Sequence, residues 1–292
     1  MGTVLITGCS SGFGQAAALA LARRGQSVMA TMRNPADGKH LLTTAEQEQL
    51  SLSVHPLDVL SQASIDSALE TILAEEDRID ALVNNAGQRG PRGPVTTFSD
   101  SELHNLFDVN VVGMVRMARA VVPSMIARGA GRIVNVSSMA GLTGVPFESA
   151  YCISKHGVEA LSEALRWELA PHGITVSVIE PGAYNTSFFA AESETAGFGP
   201  DHPERPVFDQ LTAAINRTMI TGRLQDPDEV AEAICDAVTS AEDGFRRVVG
   251  QDAVTITSLK HELPYEEFER QIRAIFGLDT PSAAVAGSYA TN

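Results

Sequence analysis

The sequence has too few cysteines to form a disulfide framework. Cys9, Cys152 and Cys235 are scattered over 292 residues, and no cysteine or histidine cluster shows the spacing of metal ligands. Disulfides persist in oxidising compartments, so three unclustered thiols favour a reducing one. The sequence therefore predicts free cysteines, no metal site and a cytoplasmic location.

Basic residues and long apolar runs are also scarce. The chain has 21 Lys and Arg against 36 Asp and Glu, a formal charge of -15 that repels nucleic acid and anionic membrane surfaces. No charged leader precedes the first apolar run, and no run approaches the ~18 apolar residues that span a bilayer. We expect neither nucleic acid nor membrane as a partner. An apolar content of 44% allows a large core in a single domain.

Short apolar runs alternate with helical patterns along most of the chain. Strands are predicted at 4–7, 27–32, 52–57, 79–83, 132–136 and 174–179, with a last strand at 247–249. Helices are predicted at 61–76 and from the N-cap Asp226 onward. This alternation, without repeats or low-complexity linkers, predicts a parallel sheet covered by helices on both faces. The predicted fold class is α/β: a doubly wound, Rossmann-like parallel sheet in a three-layer αβα single domain over 1–292.

A glycine-rich turn follows the first strand and precedes a helix predicted at 15–24. The turn contains Gly8, Ser10, Ser11, Gly12, Phe13 and Gly14. Its backbone N–H groups and the positive end of the helix dipole converge on one point, which suits a pyrophosphate. The spacing Gly-x-x-x-Gly-x-Gly differs from the common Gly-x-Gly-x-x-Gly, and an ordinary tight turn is the alternative.

The exit of the second strand carries an arginine where an acidic residue would bind an adenine ribose. Met32 and Arg33 stand there, about 20 residues beyond the glycines. A guanidinium suits a 2′-phosphate better than a free hydroxyl, so NADP is favoured over NAD. A solvated surface arginine is the alternative.

The other strands also end in small or polar residues. The third is followed by Asp58-Val59, the fourth by Asn84-Asn85-Ala86-Gly87, the fifth by Ser137-Ser138 and the sixth by Glu180-Pro181-Gly182. These residues meet at the carboxyl edge of a parallel sheet, where ligands bind.

A long helix is predicted from the capping box at Ser99 to about Arg128. Asn110 lies in its interior, where asparagine is unfavourable and therefore indicates a specific role. Pro123 is expected to kink the helix or to divide it.

Tyr151 and Lys155 are four residues apart in a predicted helix, so the ammonium lies beside the phenol. A nearby cation favours the phenolate, which makes the tyrosine a usable acid or base. An amphipathic helix with one aromatic and one surface lysine is the alternative for an isolated pair.

These motifs stand together in one order, Thr7-Gly8-x-x-x-Gly12-x-Gly14, Asn84-Asn85-Ala86-Gly87, Asn110, Ser138, Tyr151-x-x-x-Lys155 and Pro181-Gly182. The set resembles the short-chain dehydrogenase/reductase family over about residues 3–255. The resemblance implies that Tyr151 exchanges a proton with the substrate oxygen while hydride moves to or from a nicotinamide. It implies that Lys155 lowers the pKa of the phenol and holds the ribose, and that Ser138 hydrogen-bonds the substrate oxygen. Asn110 would hold a water for proton relay.

The resemblance also implies how the cofactor binds. Asp58 and Val59 would contact the adenine, and Asn85, Ala86 and Gly87 would line the ribose. Thr186, after Pro181-Gly182, would bind the carboxamide, and Ser11 and Arg33 would reach the 2′-phosphate of NADP.

A closer similarity links Gly141-Leu142-x-Gly144-x-Pro146-Phe147, Tyr151-Cys152-x-Ser154-Lys155 and Glu159 to the hydroxysteroid and retinol dehydrogenase branch. It implies a lipophilic secondary alcohol or ketone as substrate. The resemblance to the family as a whole implies a homodimer or homotetramer formed by the helices around Asn110 and Tyr151. The segment 183–224, with Phe188, Phe189, Phe198, Phe208 and Met219, is expected to be an irregular substrate-binding loop. A C-terminal amphipathic helix is expected at 264–276.

The sequence leaves two alternatives open and disfavours a third. One is a dinucleotide-sensing regulatory protein without turnover, and a second is an NAD-preferring enzyme of the same family. The third, a nucleotide-sugar epimerase or dehydratase, needs a larger C-terminal substrate domain than the chain after the sixth strand provides.

Overall fold

A seven-stranded parallel sheet forms the centre of the computed structural model, which describes residues 2–184, 186, 188, 197–218, 226–241 and 244–276. The strand order is β3-β2-β1-β4-β5-β6-β7, and every adjacent pair is parallel. The strands are β1 (Thr3–Thr7), β2 (Ser27–Met32), β3 (Leu52–Pro56), β4 (Ala81–Asn84), β5 (Gly131–Val136), β6 (Ile174–Pro181) and β7 (Arg246–Val249).

Helices cover both faces of this sheet. They are α1 (Gly12–Arg23), α2 (Lys39–Glu48), α3 (Gln62–Glu75), α4 (Asp100–Phe107), α5 (Gly113–Arg128), α6 (Ser149–Leu169), α7 (Arg205–Thr218), α8 (Pro227–Thr239), α9 (Gln251–Glu262) and α10 (Tyr265–Phe276). Side chains alternate along β1, so Val4 and Ile6 pack with α1 and α8, whereas Leu5 packs with α3 and α5. The doubly wound α/β fold is confirmed.

Three helices occur where the sequence analysis placed none. These are α2, α9 and α7, and α7 lies inside the segment 183–224 that was expected to be irregular. In α7 the buried residues Phe208, Leu211 and Ala214 follow helical spacing within a short polar stretch. The expectation of a wholly irregular loop was therefore wrong over 205–218, while Phe189 and Met219 lie outside the described residues.

The long helix predicted from Ser99 to Arg128 is interrupted at Asn110 and is not divided at Pro123. The predicted capping box of Ser99 and Glu102 is present, and α4 and α5 are joined by a five-residue π-turn at Asp108–Val112. Helix α5 continues past Pro123 to Arg128. Proline removes one backbone donor, and the helix tolerates that loss here.

The continuous helical stretch Asp100–Arg128 is long and apolar enough to cross a membrane by length and composition. Half of its most apolar window is nevertheless buried inside the protein. Met117, Val121 and Met125 pack in the core beneath the sheet, at 0–2% exposure. The buried face of this stretch is part of the hydrophobic core.

The strand order reverses between β1 and β4, which run side by side with Val4 opposite Ala81 and Ile6 opposite Val83. In an open parallel sheet, the crevice beyond the carboxyl ends of such a pair is where ligands bind. The turns after β1 and β4 meet at this crevice.

Candidate active site

The glycine turn after β1 packs directly on the loop after β4. Gly8 has φ +74°, and a Cβ atom there would lie 2.8 Å from the Ala86 Cα. A Cβ at Gly14 would overlap the Asn85 amide nitrogen and the Gly8 carbonyl oxygen. Gly14 therefore serves the packing between the two loops and lies behind the cleft.

Thr7, at the end of β1, holds the loop after β4 in place. Its Oγ1 accepts hydrogen bonds from the backbone N–H groups of Asn85 and Ala86, each at 3.0 Å. The Asn85 amide in turn donates to the carbonyls of Thr7 (2.9 Å) and Gly8 (3.0 Å). Asn85 was predicted to line a ribose, and the structure shows that its side chain stabilises the glycine turn through these two hydrogen bonds.

A single cleft along the carboxyl edge of the sheet collects nearly all of the predicted site residues. They are Gly8, Ser10, Ser11, Gly12, Phe13, Arg33, Asp58, Val59, Asn85, Ala86, Gly87, Ser138, Tyr151, Lys155, Pro181, Gly182 and Thr186. Gly14 and Asn110 lie outside its lining. Thr7, Ser137 and Phe188, which the sequence analysis named in motifs and in the substrate-binding loop, also line the cleft, and sequence reasoning missed Gln88 and Val136.

Tyr151 lies in the first turn of α6, and its phenol is buried at 8% exposure. The Lys155 ammonium is 5.7 Å from the centre of the Tyr151 ring, as the four-residue spacing predicts. Lys155 Nζ donates to the Val136 carbonyl at 2.9 Å, at the end of β5. The Ser138 hydroxyl, just beyond β5, lines the same cleft as the Tyr151 hydroxyl and acts to lower the pKa of the phenol.

Burial has the largest effect on the pKa of both Tyr151 and Lys155. It raises the pKa of Tyr151 above the ordinary value, and the interaction with Ser138 opposes this increase. Burial also lowers the pKa of Lys155 to about 8, against the attraction of Glu159. The net shift of the phenol pKa is upward because the tyrosine is desolvated, and the expected lowering of this pKa by Lys155 stays a prediction.

Asn110 lies outside the cleft lining and supports the site through hydrogen bonds. Its side-chain oxygen accepts from the Gln88 N–H at 2.8 Å, and its amide nitrogen donates to the Gln88 carbonyl (2.8 Å) and to Ser154 Oγ (3.0 Å). Ser154 then donates to the Tyr151 carbonyl at 2.8 Å. These bonds connect the loop after β4 to the helix that carries the phenol, and the role of holding a water stays a prediction.

A buried ion cluster that sequence reasoning missed lies beside Tyr151. Glu148, at the N-cap of α6, pairs with Arg89 and with Arg92 Nε, the latter at 3.3 Å. Arg89 is 59 residues from Glu148 in the sequence, so no local pattern could have indicated the pair. Glu148 raises and Arg89 lowers the pKa of Tyr151, so this cluster contributes to the electrostatics of the phenol.

The described phenylalanines of 183–224 serve two different purposes. Phe188 lines the cleft, and its ring is 5.6 Å from that of Tyr151. Phe198 and Phe208 pack instead on each other (5.0 Å) and on Phe147 (6.4 and 5.4 Å). Only Phe188 of the described three lies in the cleft lining.

The cleft has the groups that a nicotinamide dinucleotide requires. Helix α1 has no acidic residue in its first turn, so the positive end of its dipole is not compensated where a pyrophosphate would lie. Thr186 Oγ1 is buried and has no hydrogen-bond partner among the described residues. A buried hydroxyl without a partner is unfavourable, and a bound carboxamide would satisfy it. Thr186, the glycine turn and Arg33 line one cleft, as such a cofactor requires.

Known sequences resemble this chain over most of its length. The family described as short chain dehydrogenase matches residues 2–197. Retinol dehydrogenase 8 from Bos taurus is 39% identical over 88% of this chain and 84% of its own length. Human 17-beta-hydroxysteroid dehydrogenase type 1 is 33% identical over 97% of this chain and 88% of its own length.

Solved structures also resemble this chain. A short-chain dehydrogenase from Streptomyces avermitilis is 32% identical, with a TM-score of 0.77 over 96% of this chain and 98% of that one. A gluconate 5-dehydrogenase from Burkholderia cenocepacia in complex with NADP and tartrate is 27% identical, with a TM-score of 0.72 over 87% and 95% of the two chains. A 3-ketoacyl-(acyl-carrier-protein) reductase from Brucella melitensis complexed with NADH is also 27% identical, with a TM-score of 0.71 over 85% and 96%. Similar structures thus bind either nicotinamide cofactor.

The packing of the glycine turn predicts a specific cost for a methyl group at Gly14. Gly14→Ala is expected to lower the free energy of unfolding by about 1–3 kcal/mol, because the turn and Asn85 must separate. Gly144→Ala is the matched control, since a Cβ there meets no atom within 4 Å. Urea unfolding of both variants measures the difference, and equal stabilities would contradict the close packing inferred here.

Proposed function

The chain belongs to the short-chain dehydrogenase/reductase family, in its hydroxysteroid and retinol dehydrogenase-like branch, and we propose that it transfers a hydride between NADP(H) and a lipophilic secondary alcohol or ketone. The observation that carries this proposal is the single cleft that holds both the glycine turn and Tyr151, Ser138 and Lys155. Cofactor-binding and proton-transfer groups therefore face the same space.

The proposed mechanism assigns one task to each polar side chain. A bound nicotinamide would supply or accept the hydride. Tyr151 exchanges a proton with the substrate oxygen, and its raised pKa means that the phenol is protonated at neutral pH, the form that donates to a carbonyl under reduction. Ser138, in the same cleft as the phenol, donates to the substrate oxygen and stabilises the charge that develops there.

Lys155 supports the phenol by its charge. With a pKa of about 8, the ammonium is largely protonated at neutral pH, and its position against the Tyr151 ring favours a developing phenolate. Its bond to the Val136 carbonyl holds it at the floor of the cleft, where it would also reach the ribose hydroxyls of the cofactor.

The surroundings of the phenol favour a lipophilic substrate. Tyr151 packs with Ala140 and Cys152, and Val145 and Phe188 close this cluster. Apolar walls of this kind bind apolar ligands, and a few polar groups set their orientation. Relatives named retinol dehydrogenase 8 and 17-beta-hydroxysteroid dehydrogenase type 1 also support this substrate class.

A dinucleotide-sensing protein without turnover is the second candidate. A sensor has no use for a complete proton-transfer set, whereas Asn110, Ser138, Tyr151 and Lys155 are all present. Asn110 is joined to Tyr151 through Ser154, and the Lys155 ammonium lies 5.7 Å from the Tyr151 ring centre. This connection favours the enzyme.

Tyr151→Phe is expected to abolish turnover and to leave the affinity for the cofactor within a few fold, because only the hydroxyl is removed. The measurement is absorbance of the nicotinamide with a panel of steroids, retinoids and simpler alcohols, ketones and aldehydes. Tyr265→Phe is the control, since Tyr265 is 64% exposed on α10 and is not among the residues that line the cleft. Retention of the wild-type rate by Tyr151→Phe would refute the mechanism, and a wild type inactive on every substrate would favour the sensor.

The preference for NADP rests on Arg33. This side chain lines the cleft at the exit of β2, is exposed, and makes no hydrogen bond or ion pair with the part of the chain that the structure describes. An uncommitted guanidinium at this position is available to a 2′-phosphate.

Arg33→Ala is expected to weaken NADPH binding by at least about tenfold, the equivalent of ~1.4 kcal/mol, and to leave NADH binding nearly unchanged. Fluorescence titration with each cofactor measures both constants. Arg270→Ala serves as the control, because Arg270 is 69% exposed and no residue of its helix α10 lines the cleft. Equal affinities of the wild type for NADPH and NADH, or tighter binding of NADH, would overturn the preference for NADP.

We also propose a homodimer or homotetramer formed through α4, α5 and α6. Large apolar side chains are exposed on these helices: Phe107 (40%), Val115 (37%), Ile153 (58%) and Trp167 (75%). Exposed apolar groups clustered on adjacent helices are typical of protein contacts.

Size-exclusion chromatography with light scattering is expected to give the mass of a dimer or tetramer. Trp167→Glu should shift the protein toward the monomer, because a charge would be buried in the contact. Tyr265→Glu, at a comparably exposed aromatic residue on α10, should not change the mass. A monomeric wild type would remove this proposal.

A further inference from the structure

A second buried acidic group lies one turn beyond Lys155. Glu159 follows Lys155 by four residues on α6, Glu180 is near the end of β6, and Arg246 begins β7. One nitrogen, Arg246 Nη1, donates to both carboxylates, to Glu180 at 2.6 Å. Glu159 is 8% exposed and Glu180 is fully buried, whereas Arg246 is 38% exposed.

The carboxylates of Glu159 and Glu180 carry more negative charge than the single guanidinium of Arg246 neutralises. Glu159 Oε1 and Glu180 Oε2 are buried and have no hydrogen-bond partner in the described part of the chain. Two carboxylates on one guanidinium nitrogen repel each other, and a single proton between them turns this repulsion into a hydrogen bond. Consistently, burial and the charge of Glu159 raise the pKa of Glu180 to about 7.

Lys155 and Glu159 are four residues apart on α6, so they lie on the same face of the helix, and both are buried. The ammonium is 4% exposed, and burial alone would favour its neutral form. The attraction that opposes this effect comes from Glu159, one helical turn away. The charged groups packed around the pair are Lys155, Glu159 and Glu163 on α6, Glu180 on β6 and Arg246 on β7.

We propose that Glu159 is a positioning residue whose negative charge keeps the buried Lys155 protonated, and that Glu180 carries the proton which the acidic pair shares. Arg246 holds both carboxyl groups in place and connects them to the surface. The consequence for turnover rests on the role of Lys155 under the proposed function, whereas the protonation of the cluster does not depend on it.

The shared proton makes stability depend on pH in a defined direction. The pKa of Glu180 in the native state lies above its unfolded value, so the native state holds an additional proton between about pH 4.5 and about pH 7. The stability that this contributes is present at low pH and is lost as pH rises through about 7.

Urea unfolding from about pH 5 to about pH 8 tests the shared proton. Relative to the wild type, Glu180→Gln is expected to lose less stability as pH rises, because the amide imitates the protonated acid at every pH. Glu163→Gln is the matched control: Glu163 also faces Arg246, at 3.8 Å, but is 59% exposed. A Glu180→Gln profile parallel to the wild type would refute the shared proton.

The charge on Lys155 can be followed directly, because the chain contains only three lysines, Lys39, Lys155 and Lys260. NMR titration of lysine labelled with carbon-13 at Cε, assigned with Lys39→Arg and Lys260→Arg, gives the pKa of Lys155. Glu159→Gln is expected to lower this pKa by at least about 0.5, and Glu163→Gln to leave it unchanged.

Glu159→Asp gives a second measurement for the case in which Glu159→Gln does not fold. It keeps the charge but draws it away from Lys155, so a smaller decrease is expected. A Lys155 pKa equal to that of the wild type in whichever variant folds would overturn the positioning role. An active Tyr151→Phe enzyme would instead remove the proposed function and leave this titration intact.

Discussion

The side-chain amide of Asn110 holds the site together. It uses both polar atoms, with two bonds to the backbone of Gln88 and one to Ser154, and Ser154 bonds the Tyr151 carbonyl. A buried polar group left without a partner costs about 1–3 kcal/mol, so each of these bonds is a strong geometric constraint. The loop after β4 and the first turn of α6 are consequently held in a fixed position relative to each other. These bonds, which lie outside the cleft lining, position the Tyr151 phenol.

Features that depend on neighbouring residues were predictable from the sequence. Strand and helix alternation follows from hydrophobic periodicity, and the carboxyl edge follows from the rule that all strands of a parallel sheet end on one side. The Tyr151 and Lys155 pair follows from helical geometry. The asparagine in mid-helix indicated a specific role, and Asn110 is indeed the residue that joins two parts of the site.

Features that depend on burial or on distant residues were not predictable. The pKa of Tyr151 is set mainly by desolvation, which only the folded chain reveals. The ion pair of Glu148 with Arg89 joins residues 59 positions apart in the sequence, and that of Glu159 with Arg246 joins residues 87 positions apart. No local sequence pattern indicates either pair. Phe198 and Phe208 resembled substrate contacts by composition, yet they pack on Phe147, because aromatic side chains stabilise a core as readily as a binding site.

The π-turn at Asp108–Val112 restricts how this part of the chain can change in length. A five-residue turn accommodates one more residue than an α-helical turn, and each residue rotates the helix by about 100°. A single insertion or deletion there would swing Asn110 by more than a quarter turn relative to either α4 or α5. One of those helices would lose its packing, or the amide would leave Gln88 and Ser154. Homologous chains that keep this site should therefore differ in this segment by substitution and not by gaps.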